Sequence, residues 1–208
     1  MKGVLLVLIL LLAGPAWAAP PPQDAPGLER VLAGLEQAAA GVETLAADFV
    51  QEKRLEIFAE VLTSRGRFYF QRPDRLRWEV TEPVASGFAL EGGKGRRWHE
   101  RAGDAEEFAV SREPGMRLVA EQLLAWARVD LAWLAERYRI ALLAEAPVTL
   151  ELTPLATGAR DYVDHLRIVF AADRRHVQSV EFFAGDGDVT RIRFVEAVVN
   201  GPLPAGLF

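Results

Sequence analysis

The chain has 208 residues, half of them apolar, with 29 acidic against 24 basic side chains for a net charge of −5, and it contains no cysteine. That balance excludes the basic footprint of a nucleic-acid binder, and the missing thiols exclude disulfides, thiolate metal sites and a lipidated N-terminal cysteine. A chain of this length buries enough apolar surface to be stable outside the cytoplasm without disulfides.

The first residues predict export. Lys2 supplies a positive n-region, Val4 to Ala13 is an unbroken apolar run, Gly14-Pro15 breaks any helix, and Ala16-Trp17-Ala18 is a small-x-small cleavage pattern. The run is too short to span a bilayer, so residues 1–18 read as a secretory signal peptide cleaved after Ala18. Residues 19–27, rich in proline, read as a tether that holds neither helix nor ladder. One soluble domain is expected from 28 to 208.

That domain opens on a helix. Leu28, Val31, Leu32 and Leu35 follow the i, i+3, i+4, i+7 spacing of one face, and Gly41 closes it. From Thr44 the period becomes two. Strands are expected over 45–54, 64–71, 75–81, 86–91, 95–100 and 105–111, with turns at Pro73-Asp74 and Gly92-Gly93. The run 75–81 is the cleanest: Leu76, Trp78 and Val80 alternate with Arg75, Arg77 and Glu79. A helix follows Pro114-Gly115, with Met116, Val119, Ala120, Leu123, Leu124 and Ala127 on one face, and Asp130 caps a second, shorter one. Strands resume at Arg139–Leu143, then around Leu150, Ile168, Val180 and Ile192, the last pair separated by the Gly185–Asp188 turn. The pattern is an antiparallel meander of roughly ten strands with one wet face and a helical insertion.

No chemistry stands out. His99, His165 and His176 lack metal-type neighbours at i+3 or i+4, no serine sits in a nucleophile elbow, and no glycine loop cradles phosphate. Asp186-Gly187-Asp188 lacks the spaced ligands of a calcium loop and reads as a hairpin turn. What remains is an aromatic stripe expected on the inner face: Phe68, Phe70, Trp78, Phe88, Trp98, Phe108, Phe170, Phe182 and Phe194. Periodicity alone does not separate a packed core from the wall of a cavity.

Four segments in register carry a resemblance. FVQEKRLE, SRGRFYFQRPDRLRWEVTEP, LEGGKGRRWHE and GDGDVTRIRFVEAVVNGPLPAGLF together resemble the periplasmic outer-membrane lipoprotein carrier (LolA-type) family across residues 28–208. The most specific piece is Gly66-Arg67-Phe68, then Arg72-Pro73, Leu76, Trp78 and Pro83; Gly187, Phe194, Asn200 and Pro202 agree in order and spacing. The resemblance implies an α+β fold: an incomplete, half-open antiparallel β-barrel with helices forming a lid over a hydrophobic cavity. It implies a non-enzymatic, cofactor-free, monomeric periplasmic carrier of acylated lipoproteins or lipids. An inner-membrane release complex and an outer-membrane receptor would be its partners.

By the same resemblance, Phe68, Phe70, Leu76, Trp78, Val80, Phe88, Leu90 and Trp98 line the acyl cavity. Leu123, Leu124 and Trp126 belong to the lid, and Arg72 latches the lid by hydrogen-bonding helix carbonyls, a task suited to a guanidinium fork. The chain stops at Phe208, where better-known carriers continue, which suggests a divergent member. The rival expectations are a half-barrel sensor of lipids or lipoproteins, a carrier for a lipid of a dedicated pathway, and an exported enzyme with a carboxylate pair.

Overall fold

The computed structural model describes residues 25–57, 60–157 and 163–208. The expected signal peptide and most of the proline-rich leader lie outside the described residues. Helix α1 (Ala25–Ala39) begins inside the expected leader, because Pro26 falls in its first turn, where a missing N–H and a fixed φ favour the helix. Its stripe of Val31, Leu35 and Ala39 is buried.

Strands β1 (Thr44–Arg54), β2 (Val61–Gln71), β3 (Arg75–Glu82), β4 (Ser86–Glu91), β5 (Lys94–His99) and β6 (Glu106–Ala109) follow. A 3₁₀ turn over Val110–Arg112 cuts β6 shorter than its alternation suggested. Helices α2 (Pro114–Arg128) and α3 (Leu131–Arg137) come next, the second capped by Asp130, whose carboxylate accepts from Trp133 N at 3.0 Å. Strands β7 (Tyr138–Glu145), β8 (Val148–Pro154), β9 (His165–Phe170), β10 (Val177–Phe183) and β11 (Val189–Val199) complete the chain.

Among the described residues, all eleven strands form one antiparallel sheet in the order β6-β5-β4-β3-β2-β1-β11-β10-β9-β8-β7. Each half is a local meander, and the β1–β11 pairing joins them, through Phe49 opposite Phe194 and Gln51 opposite Ile192. The sheet keeps two free edges, β6 and β7, so it curls without closing: the half-barrel of the expected fold class. The α2–α3 insertion is the covalent link between those edges.

Alternation assigns the faces. Leu45, Phe49, Phe68, Phe70, Leu76, Trp78, Phe88 and Leu90 point inward on β1 to β4, and Leu150, Leu152, Leu166, Ile168, Phe170 and Val180 do so on β8 to β10; all are buried. The other face is charged and cross-strand paired. Asp48 stands opposite Arg67 at 3.9 Å, and Glu181 takes Arg191 at 2.6 Å and Arg167 at 3.6 Å. Such exposed pairs contribute about 0.2–1 kcal/mol each, so they tune the sheet rather than hold it. Gly66 is obligatory where β2 crosses this core: a Cβ there would run into the Glu79 carbonyl and the Phe49 ring, at a register shift between Arg65 and Gly66.

Candidate functional site

The inner face of β1 to β4 centres on an aromatic cluster. Trp78 stacks on Phe49 at 4.1 Å between ring centroids, and Phe68 and Phe194 meet the same indole edge-on at 6.0 and 6.2 Å. Such pairs contribute about 0.5–1.5 kcal/mol beyond the area they bury, so this is a rigid wall. Of the residues expected to line a cavity, Phe68, Phe70, Leu76, Trp78, Phe88 and Leu90 are buried on this wall, and Val80 is partly buried against it.

Trp98 is not on it. Opposite Phe88 stands Arg97, and opposite Gly87 stands Trp98, so the indole projects from the charged face, with the Arg77 guanidinium 4.3 Å from its ring centroid. The signal was present in the sequence. A two-residue turn at Gly92-Gly93 pairs Glu91 with Lys94 and therefore Leu90 with Gly95, and counting on from Leu90 puts Arg97 inside and Trp98 outside.

Helix α2 lies over the wall. Leu123 and Trp126 are buried and Leu124 is partly buried, each packed into the same apolar cluster as the strands. The Trp126 ring sits 5.6 Å from that of Phe182. Between helix and sheet remains a void of about 10 Å³, on the order of one water, bordered by Leu45, Ala47, Phe68, Leu123, Trp126, Ala127, His176, Val177 and Phe194. In this conformation the space expected as a cavity is filled by the helix that covers it. His176 was not anticipated as part of this site. Burial pushes its imidazole below the ordinary value, Arg175 acts in the same direction and Asp173 opposes both.

The cover is tied at identifiable points. Inward-facing Arg97 donates to Glu106 through Nε and Nη2 at 3.0 and 2.8 Å, and through Nη1 to Glu113, the residue before α2, at 2.7 Å. The hydrogen bonds to Glu106 and Glu113 outweigh burial and push the Arg97 guanidinium up, and Arg97 in turn holds the Glu106 carboxyl down. The Tyr138 hydroxyl donates to Gln122 Oε1 at 2.8 Å within the buried interior, fastening α2 to β7. Burial pushes that phenol well above its usual range.

Arg72 forks onto two backbone carbonyls: Nε donates to Val42 O at 2.6 Å and Nη2 to Ala39 O at 3.4 Å. The carbonyls belong to the end of α1 and its exit, however, and not to α2, which carries Leu123, Leu124 and Trp126. Asn200 grips the same connector from the other side, its Oδ1 accepting from Glu43 N at 2.7 Å and its Nδ2 donating to Gly41 O at 2.7 Å. The Arg-Pro and Asn-x-Pro elements of the sequence thus meet around the α1–β1 joint.

The model of a family described as outer membrane lipoprotein carrier protein LolA matches residues 40–208. No curated protein matches the chain. Among solved structures, MucB superposes with a TM-score of 0.54 at 15% identity, over 88% of this chain and 62% of MucB. The MucA/MucB complex of Pseudomonas aeruginosa gives 0.50 at 14% identity, over 86% of this chain and 59% of the other. Lipoprotein LppX of Mycobacterium tuberculosis gives 0.48 at 12% identity, over 86% and 98%. At these identities the likeness is one of fold, and the chain spans about three-fifths of the MucB chains.

Proposed function

Because this chain belongs to the LolA family of outer-membrane lipoprotein carriers, we propose that it is a periplasmic, non-catalytic carrier that shelters the acyl chains of lipoproteins, or of another acylated cargo, between its sheet and α2. It receives that cargo at the inner membrane and delivers it to the outer membrane. The observation that supports this reading is the continuity of one apolar cluster across the sheet wall and α2, with a small void left between them.

The energetics suit exchange. Each sheltered CH₂ contributes about 0.8 kcal/mol, so a ten-carbon segment offers roughly 8 kcal/mol, part of which is offset by lifting α2 off the wall. A carrier needs the surplus to be small, so that cargo can leave as well as enter. Arg97, at the root of α2, and Tyr138, which holds Gln122 of α2, are the polar ties against which that movement works.

The test is uptake of the apolar fluorophore N-phenylnaphthylamine by the purified chain. Saturable enhancement is expected, weakened at least tenfold by Phe194→Glu, which sets a carboxylate beside the void at a position only partly buried. No uptake by the wild type, or equal uptake by the variant with its circular dichroism intact, would sink the reading.

A further inference from the structure

The space beneath α2 is lined by carbon except where polar atoms go unmatched. Trp126 Nε1 is buried without an acceptor from the protein, and Nδ1 of His176 is buried without a hydrogen-bond partner; both residues border the void. Asp173 Oδ1 lies 3.7 Å from that Nδ1, too far for a hydrogen bond. One turn earlier on α2, Tyr138 occupies Gln122 Oε1 and leaves Gln122 Nε2 as another buried donor without an acceptor. Gln122 and Trp126 are spaced i, i+4, so both donors stand on one stripe of the helix. Native interiors match nearly all buried donors, and the unmatched Trp126 N–H beside the void, with that of Gln122 one turn away and off its lining, marks a place that a hydrocarbon ligand alone would leave unsatisfied.

Resting on the carrier reading, we propose that this stripe receives an uncharged acyl carbonyl, the ester or amide oxygen at the head of an acyl chain. Trp126 Nε1 is its principal donor, and its hydrogen bond shifts the site's preference from plain hydrocarbon toward acylated cargo. A neutral acceptor fits the lining. No arginine or lysine borders the void, and burial disfavours the charged form of His176, so an ionised carboxylate would lie there without a countercharge. The carbon tail would run from the stripe along Phe68 and Phe194, and its head would meet the helix.

Displacement of N-phenylnaphthylamine tests this with methyl dodecanoate, with the straight-chain alkane of equal heavy-atom count, and with dodecanoate. The wild-type ratio of ester to alkane affinity is the reference, because an alkane of equal size gains more from burial and only the change in that ratio isolates the hydrogen bond. Trp126→Phe removes the N–H and keeps a ring, and should lower that ratio about tenfold, the loss of one hydrogen bond. Leu123→Ala removes lining carbon but no donor, and should weaken both ligands while retaining the ratio. A measurement independent of any variant is the Trp126 indole N–H resonance of nitrogen-labelled wild type, which should move downfield with the ester and not with the alkane. An unchanged ratio in Trp126→Phe, a resonance indifferent to the ester, or tighter binding of dodecanoate than of its ester overturns the proposal and leaves the carrier reading standing. Failure of the wild type to bind any of the three overturns the carrier reading and this inference with it.

Discussion

His176 illustrates how one residue ties the interior to pH. Its ring borders the void beneath α2, and burial lowers its pKa below the ordinary value near 6.5, with Asp173 opposing and Arg175 assisting. A histidine whose folded pKa is depressed binds its proton more readily in the unfolded chain. Its contribution to stability is therefore present above about pH 6.5 and is lost as pH falls through the lower folded value. Chemical denaturation at about pH 7.5 and about pH 5.5 should show the wild type losing stability over that interval, and His176→Phe losing less. Parallel slopes for the two proteins would mean that His176 is not the group responsible. Gly66 carries the opposite lesson at the same scale. It contributes no chemistry, yet the stacking of Phe49 on Trp78 depends on the missing Cβ.

At the scale of elements, the α1–β1 joint is the best-anchored junction of the inner site. The last carbonyls of a helix lack intrahelical partners, and here Ala39 O and Val42 O are met by Arg72 from the β2–β3 turn, while Asn200 holds Gly41 and Glu43. Arg72→Leu should lower stability by about 1–2 kcal/mol, toward the low end because the guanidinium is partly exposed. The loss should be accompanied by faster amide exchange at the end of α1 and little change in α2. Arg72→Lys should restore only part of it, because an ammonium cannot reach both carbonyls as a planar fork does. Faster exchange confined to α2 would mean that Arg72 acts on α2 and not on the α1–β1 joint. For α2 the corresponding tie is Arg97, which joins β5, β6 and Glu113 through three hydrogen bonds.

For the molecule as a whole, the decisive relation is between an open sheet and a helix that fills it. The sheet is hydrogen-bonded strand to strand from β6 to β7, whereas α2 meets it through side chains and a few polar ties. If an acyl chain is to enter a space of about 10 Å³, the helix must yield before the sheet does. Saturation with methyl dodecanoate should therefore raise amide exchange across residues 114–128 at least several-fold and leave β1, β2 and β11 protected. At a hundredfold excess over Kd it should still raise global stability by about 2.7 kcal/mol, as binding to the native state requires. Exchange unchanged in α2, with ligand bound, would place the ligand elsewhere.

Much of this was legible along the chain. The period of two, the turn residues and the Asp130 cap define elements through neighbours, so strands, helices and the one-sided sheet follow from local spacing. Even the facing of Trp98 was there, in the length of the Gly92-Gly93 turn, though an aromatic residue invites placement inside. The rest depends on residues far apart. The pairing of β1 with β11, the seat of α2, its ties through Arg97 and Tyr138, and the arrival of His176 at the void are long-range meetings with no period to announce them. Whether the apolar face is core or cavity was decided only in three dimensions, because a void is the small difference between the volume a wall encloses and the volume its cover fills. A strand's alternation says which side chains face inward; it does not say how closely a distant helix will pack upon them.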